Sequence, residues 1–150
     1  MSEWHLPNEP RLQPTRGQRW RTIVICVQQN ALLMVEMVDP LTKKFLWSLP
    51  GGGIEPSESP IDAACRELFE ETGYSASSID YLGQSTYDFR WNGRLIHCLG
   101  EWFLAGASEQ AQNHSIIDDH VRASAWIPIS QVGERLSLSL IHISEPTRPY

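Results

Sequence analysis

The chain has 150 residues, 41% of them apolar and 20% charged, which is enough for one globular domain with a core and too short for a second domain. Its net charge of −6 argues against binding of long nucleic acids, which requires basic side chains that neutralise phosphates. The sequence contains neither an apolar run of membrane-spanning length nor a signal-peptide pattern, so we expect no membrane association and a cytoplasmic location. We also expect a monomer or homodimer.

The first 18 residues are polar and show no hydrophobic period. Three prolines interrupt this stretch, at Pro7, Pro10 and Pro14. We therefore predict a flexible N-terminal arm, residues 1–18, followed by one domain over residues 19–137.

Three apolar segments after the arm are predicted as strands. Residues 20–27 are nearly continuous in β-branched and apolar side chains, as in a strand buried on both faces. A short turn at Gln29 and Asn30 joins this strand to a second strand over residues 31–38. A third strand over residues 45–49 leads into a run of three glycines.

A short helix is predicted after the glycines. Ser59 is a typical N-cap, Pro60 suits the first helical position, and Asp62 completes a capping box. Gly73 provides the C-terminal stop. A rotation of about 100° per residue then divides the side chains between two sides of the helix. The side expected to face the core carries Ala64, Leu68, Ile61, Thr72 and Cys65, and the other side carries Arg66, Glu70, Glu67 and Glu71.

Three carboxylates share the polar side of this helix. Glu67 is a neighbour of both Glu70 and Glu71, and unpaired like charges at that spacing cost about 0.2–0.5 kcal/mol per pair. A bound cation would remove this cost, and ligands that are all oxygen favour Mg²⁺ or Mn²⁺ over Zn²⁺. A glutamate-rich face is also typical of an ordinary solvated helix surface, so these acids alone do not choose between the two interpretations.

The stretch from Gly52 to Tyr74 resembles the Nudix box, the family pattern Gly-x5-Glu-x7-Arg-Glu-U-x-Glu-Glu-x-Gly-U, in which U is a bulky apolar residue. Tyr74 places an aromatic where an aliphatic residue is commoner. The other defined positions match in order at Gly52, Glu58, Arg66, Glu67, Leu68, Glu70, Glu71 and Gly73. The resemblance implies an α/β/α sandwich around a mixed β-sheet, and a hydrolase that cleaves the diphosphate linkage of small nucleoside diphosphate compounds.

The resemblance also implies roles for individual residues. Glu67, Glu70 and Glu71 match the family's ligands for Mg²⁺ or Mn²⁺, with the Gly51 carbonyl as a further ligand. Arg66 matches the arginine that orients the catalytic carboxylate. We therefore expect Glu67, Arg66 and Glu70 to be catalytic, with Glu67 as the general base.

An acid from a later loop is the alternative general base. Asp118 and Asp119 are the candidates, because they lie shortly before Trp126. In many relatives a glutamate stands six residues before that tryptophan, and this chain has His120 at that position. A histidine there is either an ordinary loop residue or a ligand.

Six residues are predicted to contact the substrate. Glycines let the backbone approach a phosphate closely, and Glu58 is either a supporting acid or a solvated loop charge. An aromatic ring can stack on a base and an arginine can meet a phosphate, although ordinary packing and surface charge explain such residues equally. The set comprises Gly52, Gly53, Glu58, Trp47, Arg90 and Asp119.

After the helix, strands over residues 80–91 and 94–105 flank the dipeptide Asn92-Gly93, a strong signal for a type I′ hairpin. A two-residue turn sets the register. It places Trp91 opposite Arg94, Phe89 opposite Ile96, Asp88 opposite His97 and Tyr87 opposite Cys98. Tyr87, Phe89 and Trp91 then form an aromatic row that either stacks a nucleobase or packs in the core, and Asp88 with His97 is either a proton relay or a cross-strand pair.

The last third of the chain begins with a polar stretch over residues 105–120, predicted as a long loop. A strand over residues 121–127 and a helix over residues 128–136, capped by Ser130, follow. Residues 138–148 read LSLIHISEPTR, which resembles the translation of a sequencing-library adapter. We therefore predict that residues 138–150 are a non-native tail.

Several functional interpretations stay open. A nucleoside triphosphate or dinucleoside polyphosphate is favoured slightly as substrate, with an ADP-sugar as the alternative. A Nudix-fold module that binds a nucleotide without cleaving it is a further alternative. The three cysteines, Cys26, Cys65 and Cys98, are far apart and lack CxxC spacing, so we expect buried free thiols rather than disulfides or a zinc site.

Overall fold

A computed structural model of the chain describes residues 3–112, 114–116 and 120–144. These residues form eight strands and two helices. In chain order they are β1 (Glu3–His5), β2 (Gln18–Gln28), β3 (Ala31–Val38), β4 (Phe45–Ser48), β5 (Gly51–Gly53), α1 (Pro60–Thr72), β6 (Tyr74–Trp91), β7 (Arg94–Gln110), β8 (Val121–Pro128) and α2 (Ile129–Ser144).

The strands form a mixed sheet in the order β1-β6-β7-β2-β3-β4, with β5 paired to β2 and β8 paired to β3. β2 and β7 run parallel, whereas β6 and β7 form a long antiparallel hairpin. β2 and β3 pair next to their turn, at Val27 with Leu32 and at Gln28 with Ala31. Beyond that point β5 lies along β2, so the sheet opens between its two halves.

The two helices pack on opposite faces of this sheet. Leu33 of β3 belongs to an apolar cluster with Ala64 and Leu68 of α1. Its neighbour Leu32 belongs to a second cluster with Leu136 of α2. Because successive side chains of a strand point to opposite faces, the sheet lies between the helices, and the predicted α/β/α sandwich around a mixed sheet is confirmed.

Helix α1 begins and ends where the sequence predicts. The Ser59 hydroxyl accepts a hydrogen bond from the Asp62 N–H at 3.2 Å, and Pro60 occupies the first turn. At the other end Gly73 has φ +79°, in the left-handed region that favours glycine, and its N–H donates to the Phe69 carbonyl at 2.8 Å. Local capping signals therefore define this helix.

The predicted division of α1 into a core side and a polar side is partly wrong. Ile61, expected to face the core, is 42% exposed, whereas Glu67 and Glu71 are only 8% and 1% exposed. The reason is that α1 contacts the short strand β5 as well as β2, β6, β7 and β8. Because β5 packs against the helix, part of its acidic face is buried.

The hairpins have the predicted turns and register. Gln29 and Asn30 have φ values of 50° and 60°, and Asn92 and Gly93 have φ values of 53° and 77°. Positive φ at both central residues is the type I′ geometry. The predicted pairs are all observed: Trp91 with Arg94, Phe89 with Ile96, Asp88 with His97 and Tyr87 with Cys98.

The prediction of a long loop over residues 105–120 is wrong for its first part. β7 continues to Gln110, which pairs with Tyr74 at the start of β6. The Ala111 N–H then donates to the Gly73 carbonyl at 2.9 Å. The polar composition of this segment is explained by exposed side chains at the end of β7, not by a loop.

The start of α2 also differs from the prediction. β8 extends through Pro128, which pairs with Ala31, and the Ile129 N–H donates to the Asn30 carbonyl at 2.9 Å. The chain passes directly from strand to helix. Ser130 consequently lies inside the helix and is not its cap.

The N-terminal segment contains a short strand that the sequence did not reveal. β1 pairs with β6, with Trp4 opposite Ser85. Farther along, the Leu12 N–H and carbonyl both bond to the Gln84 side-chain amide, at 2.8 and 2.9 Å. Three residues are too few to show a period in the sequence. The domain limits, including the non-native tail over residues 138–150, stay predictions.

Two further expectations concern the cysteines and the membrane. Cys26, Cys65 and Cys98 are free thiols; Cys26 and Cys98 are buried, and Cys65 is half-buried. In the part of the chain that the structure describes, neither helix is long and apolar enough to cross a membrane.

Candidate active site

The glycine run forms β5 and lies between β2 and helix α1. Gly52 pairs with Thr22 of β2. The Gly51 N–H donates to the Glu71 carboxylate at 2.9 Å, and a Cβ at Gly52 would lie 2.5 Å from Glu67 Oε1. A side chain at position 52 would therefore displace the Glu67 carboxylate.

Arg66 is the centre of the acidic cluster. Its Nε and Nη2 atoms donate to the two oxygens of Glu58 at 2.7 and 2.9 Å, a bidentate pair. Nη1 donates to Glu67 Oε1 at 3.0 Å and to Glu70 Oε2 at 3.3 Å. Nη2 also donates to the Gly53 carbonyl at 3.0 Å. One guanidinium thus joins the glycine strand, the loop before α1 and two acids of the helix.

The same contacts shift the ionisation of the partners. The hydrogen bonds from Arg66 hold the pKa of the Glu58 carboxyl below its usual range. The Glu58 carboxylate, followed by Glu67, raises the pKa of Arg66. Both groups are therefore charged at neutral pH, and the pair is a fixed electrostatic feature of the site.

Each of the three carboxylates predicted as metal ligands is held by a contact within the protein. Glu67 and Glu70 share Arg66 Nη1, while Glu71 accepts from the Gly51 N–H. Among the described residues, no three His, Cys, Asp or Glu side chains converge closely enough to hold a metal ion. The donor set, all carboxylate oxygens and partly buried, still suits a hard divalent cation. Convergence on such an ion requires side-chain rotation.

The remaining predicted site residues are dispersed. Trp47 of β4 packs in the apolar cluster beside α2, with the Arg135 guanidinium 4.9 Å from its ring centroid. Arg90 is exposed on β6 near the hairpin turn. His120 makes an edge contact with the Trp91 ring, at 5.5 Å between centroids. The candidates Asp118 and Asp119 lie outside the described residues.

A buried acid on β7 was missed by the sequence analysis. The Glu101 side chain is fully buried and accepts hydrogen bonds from Trp20 Nε1 at 2.8 Å, Gln84 Nε2 at 2.7 Å and the Tyr81 hydroxyl at 2.9 Å. Arg11 Nη1 approaches the same carboxylate at 3.6 Å. Burial, followed by the hydrogen bond to Glu101, raises the pKa of Tyr81. A single acid inside the apolar segment LGEWFLA was the only available signal.

Thr22 lies between this buried acid and the glycine strand. In the register of the sheet it is paired with Glu101 of β7 and with Gly52 of β5. Its hydroxyl is buried and has no hydrogen-bond partner among the described residues. An unsatisfied buried hydroxyl costs about 1–3 kcal/mol.

The loop between β3 and β4 contacts the β6–β7 hairpin through Asp39. Its carboxylate accepts from the Leu41 N–H at 2.8 Å, the Thr42 N–H at 3.1 Å and the Asn92 N–H at 3.3 Å. Burial opposes ionisation of Asp39, but these backbone donors outweigh it and lower the pKa. The charged form of Asp39 therefore fastens the turn of the hairpin to the opposite half of the sheet.

Comparison with known proteins gives concordant matches. A model of the NUDIX domain matches residues 17–144. The RNA pyrophosphohydrolase of Proteus mirabilis is 31% identical over 130 residues, which cover 73% of this chain and 70% of that protein. An RNA pyrophosphohydrolase of Cereibacter sphaeroides is 33% identical over 91 residues, which cover 53% of this chain and 56% of that protein. The chain thus spans little more than half of the latter relative.

A solved structure supports the same fold. The NUDIX hydrolase from Nitrosomonas europaea superposes with a TM-score of 0.70 at 23% sequence identity, over 81% of this chain and 80% of that one. At this identity the likeness concerns the fold alone.

Proposed function

The chain belongs to the Nudix family, and on that premise we propose that it is a divalent-metal-dependent hydrolase that cleaves the phosphoanhydride bond of nucleoside diphosphate compounds. The Arg66 cluster is the observation that carries this proposal. One guanidinium holds Glu58, Glu67 and Glu70 within 2.7 to 3.3 Å. A purely structural surface helix has no need for three acids around one arginine beside a strand of glycines.

Glu67, Glu70, Glu71 and the Gly51 carbonyl would hold Mg²⁺ or Mn²⁺. The bound ion would neutralise phosphate oxygens and lower the pKa of the attacking water. Glu67 is nearly buried, and Glu71 is held in place by the Gly51 N–H. The glycine strand therefore positions Glu71 through a backbone hydrogen bond, and Arg66 positions Glu67 and Glu70.

Glu67 is the proposed general base, and Arg66 is its positioning residue. Arg66 Nη1 fixes one oxygen of Glu67, and the bidentate contact with Glu58 fixes Arg66 in turn. A carboxylate held in this way accepts the proton of the attacking water without first having to be oriented. Glu58 thus contributes through Arg66.

The substrate proposed first is a nucleoside triphosphate or a dinucleoside polyphosphate. The name of two relatives, RNA pyrophosphohydrolase, supports a second candidate, an RNA that carries a phosphoanhydride bond. The net charge of −6 favours the small substrates, because the chain lacks the excess of basic residues expected for long RNA. ADP-sugars contain the same phosphoanhydride bond and are the third candidate substrates.

A screen of these compounds tests the proposal. We expect phosphate or pyrophosphate release that requires Mg²⁺ or Mn²⁺ and is abolished by chelation. Glu70→Gln should lose most of the activity, whereas the same substitution at the exposed Glu109 should have no effect. Equal turnover by wild type and Glu70→Gln would contradict the proposal. Tight nucleotide binding without release of product would support a binding module instead.

A further inference from the structure

Thr22 presents its side chain to the same face of the sheet as helix α1. Val24 and Cys26, two and four residues farther along β2, belong to the apolar cluster that contains Ala64 and Leu68 of α1. Residues two apart in a strand share a face, so the Thr22 side chain points towards α1 as well.

A carboxylate lies on each side of the Thr22 hydroxyl. On the β7 side, Glu101 is the paired residue. On the β5 side, the paired residue is Gly52, and the space where its Cβ would be is filled by Glu67, whose carboxylate oxygens lie 2.5 and 2.9 Å from that point. Paired residues have Cβ atoms about 4.5–5.5 Å apart, so Glu67 occupies the position of a cross-strand neighbour.

The two carboxylates differ in their capacity for another donor. Glu101 Oε2 accepts from Trp20 and Gln84, and its Oε1 accepts from Tyr81 and faces Arg11 at 3.6 Å. A carboxylate has about four acceptor positions, and on Glu101 three of them hold hydrogen bonds while Arg11 faces Oε1 as an ion pair. The Thr22 hydroxyl has no partner among the described residues, and Glu67 is the carboxylate towards which its proton can be directed.

We propose that Thr22 is a positioning residue for Glu67. Its hydroxyl donates to the Glu67 carboxylate, directly or through one water molecule, when the acids of α1 rotate to hold the cation. The inference rests on the proposed function, because it makes Thr22 a hydrogen-bond partner of Glu67, a proposed ligand of that ion. It also explains why a threonine occupies a buried position that valine would fill without an unpaired hydroxyl.

Two substitutions separate the hydroxyl from the packing. Thr22→Val keeps the shape and removes the donor, whereas Thr22→Ser keeps the donor and removes a methyl group. Mn²⁺ binding to the full chain is measured by electron paramagnetic resonance, and thermal unfolding is measured without metal. Thr15→Val, at an exposed threonine, controls for the chemical change.

We expect Thr22→Val to weaken Mn²⁺ binding about 10-fold, which is typical of losing a hydrogen bond to a metal ligand. Its unfolding temperature without metal should be equal to or higher than that of the wild type. Thr22→Ser should bind Mn²⁺ within about 2-fold of the wild type and unfold at a lower temperature. The variant that keeps its stability would then lose metal affinity, and the variant that loses stability would keep its metal affinity, which a role in packing alone does not produce.

Three results would overturn the inference. Wild-type affinity in Thr22→Val means that the hydroxyl does not act on Glu67. Equal weakening in both variants means that packing, not the donor, matters. Both of these outcomes leave the proposed function standing. Absence of Mn²⁺ and Mg²⁺ binding by the wild type overturns the proposed function and this inference together.

Discussion

Two groups of buried or half-buried carboxylates lie on the α1 side of the sheet, and they are satisfied in different ways. In the Arg66 cluster, one charged donor serves Glu58, Glu67 and Glu70, and the side chains of Arg66 and Glu70 remain 24% and 29% exposed. In the Glu101 network, three neutral donors from two strands, β2 and β6, surround one fully buried acid.

The difference distinguishes carboxylates that are available for catalysis or metal binding from a carboxylate whose role is to stabilise the fold. An acid that shares a single arginine at an accessible site can exchange that partner for a cation. An acid enclosed by Trp20, Tyr81 and Gln84 would leave three buried donors unsatisfied if it moved. We therefore expect substitutions in the Arg66 cluster to change activity and substitutions in the Glu101 network to change stability.

The largest expected effect is on catalysis, from Glu67→Gln. The amide cannot accept a proton, so kcat should fall about 10²- to 10⁴-fold, the usual contribution of a general base. Steady-state kinetics with the best substrate of the screen measure this change, and circular dichroism checks that the variant is folded. Retention of more than a tenth of the wild-type kcat would assign the base to another residue.

A smaller loss of activity is expected from Arg66→Lys. An ammonium group cannot hold Glu58 with two parallel bonds and also reach Glu67, so kcat should fall about 10- to 100-fold. Arg122→Lys is the matched control, since the Arg122 side chain is 55% exposed, pairs with Glu36 at 2.8 Å and lies 4.6 Å from the Phe45 ring centroid, with no contact to the Arg66 cluster among the described residues. If both variants kept full activity, the guanidinium would not orient the catalytic acid.

Glu101→Gln is expected to reduce stability and to leave kcat nearly unchanged. Its amide nitrogen would face Trp20, Gln84 or Tyr81 donors, and the free energy of unfolding should fall by about 1–3 kcal/mol. Urea denaturation measures this loss. The kcat of the folded fraction should remain within about 3-fold of the wild type. A loss of kcat as large as that of Arg66→Lys would remove the distinction between the two groups.

The smallest expected effect depends on pH and concerns Asp39→Asn. The folded pKa of Asp39 is lowered relative to an ordinary value of about 3.9, so its charge stabilises the fold above about pH 4, and this contribution is lost as the pH falls through the folded value. We expect a loss of about 1 kcal/mol at pH 7 and a smaller difference from wild type below pH 3. Denaturation curves at both pH values provide the measurement. A difference that grows on acidification would have the wrong sign.

Local signals were sufficient for the helix and the hairpin. Ser59, Pro60 and Gly73 define α1 from within the helix itself, and Asn92-Gly93 sets the register of β6 and β7. These features depend on neighbours in the sequence, so a pattern of residue types predicts them. The membership of Arg66 and Glu67 in one cluster followed from the family pattern, and the structure brings them together at 3.0 Å.

Contacts between distant segments could not be predicted in this way. The burial of Glu67 and Glu71 depends on how β5 packs against α1, and the Glu101 network joins residues that are 17 to 81 positions apart. β1 pairs with a strand about eighty residues later in the chain. The hydrophobic periodicity of a sequence does not predict which polar side chains contact one another across the sheet.

The short strand β1 has a consequence for handling the protein. It forms the outer border of the sheet beside β6, where it occupies backbone groups of residues 84–86. Removal of the first ten residues would free the N–H and C=O groups that β1 occupies at residues 84–86 of β6. Such an edge invites pairing between molecules, so an N-terminally trimmed protein should self-associate at high concentration, while the intact chain blocks that contact itself.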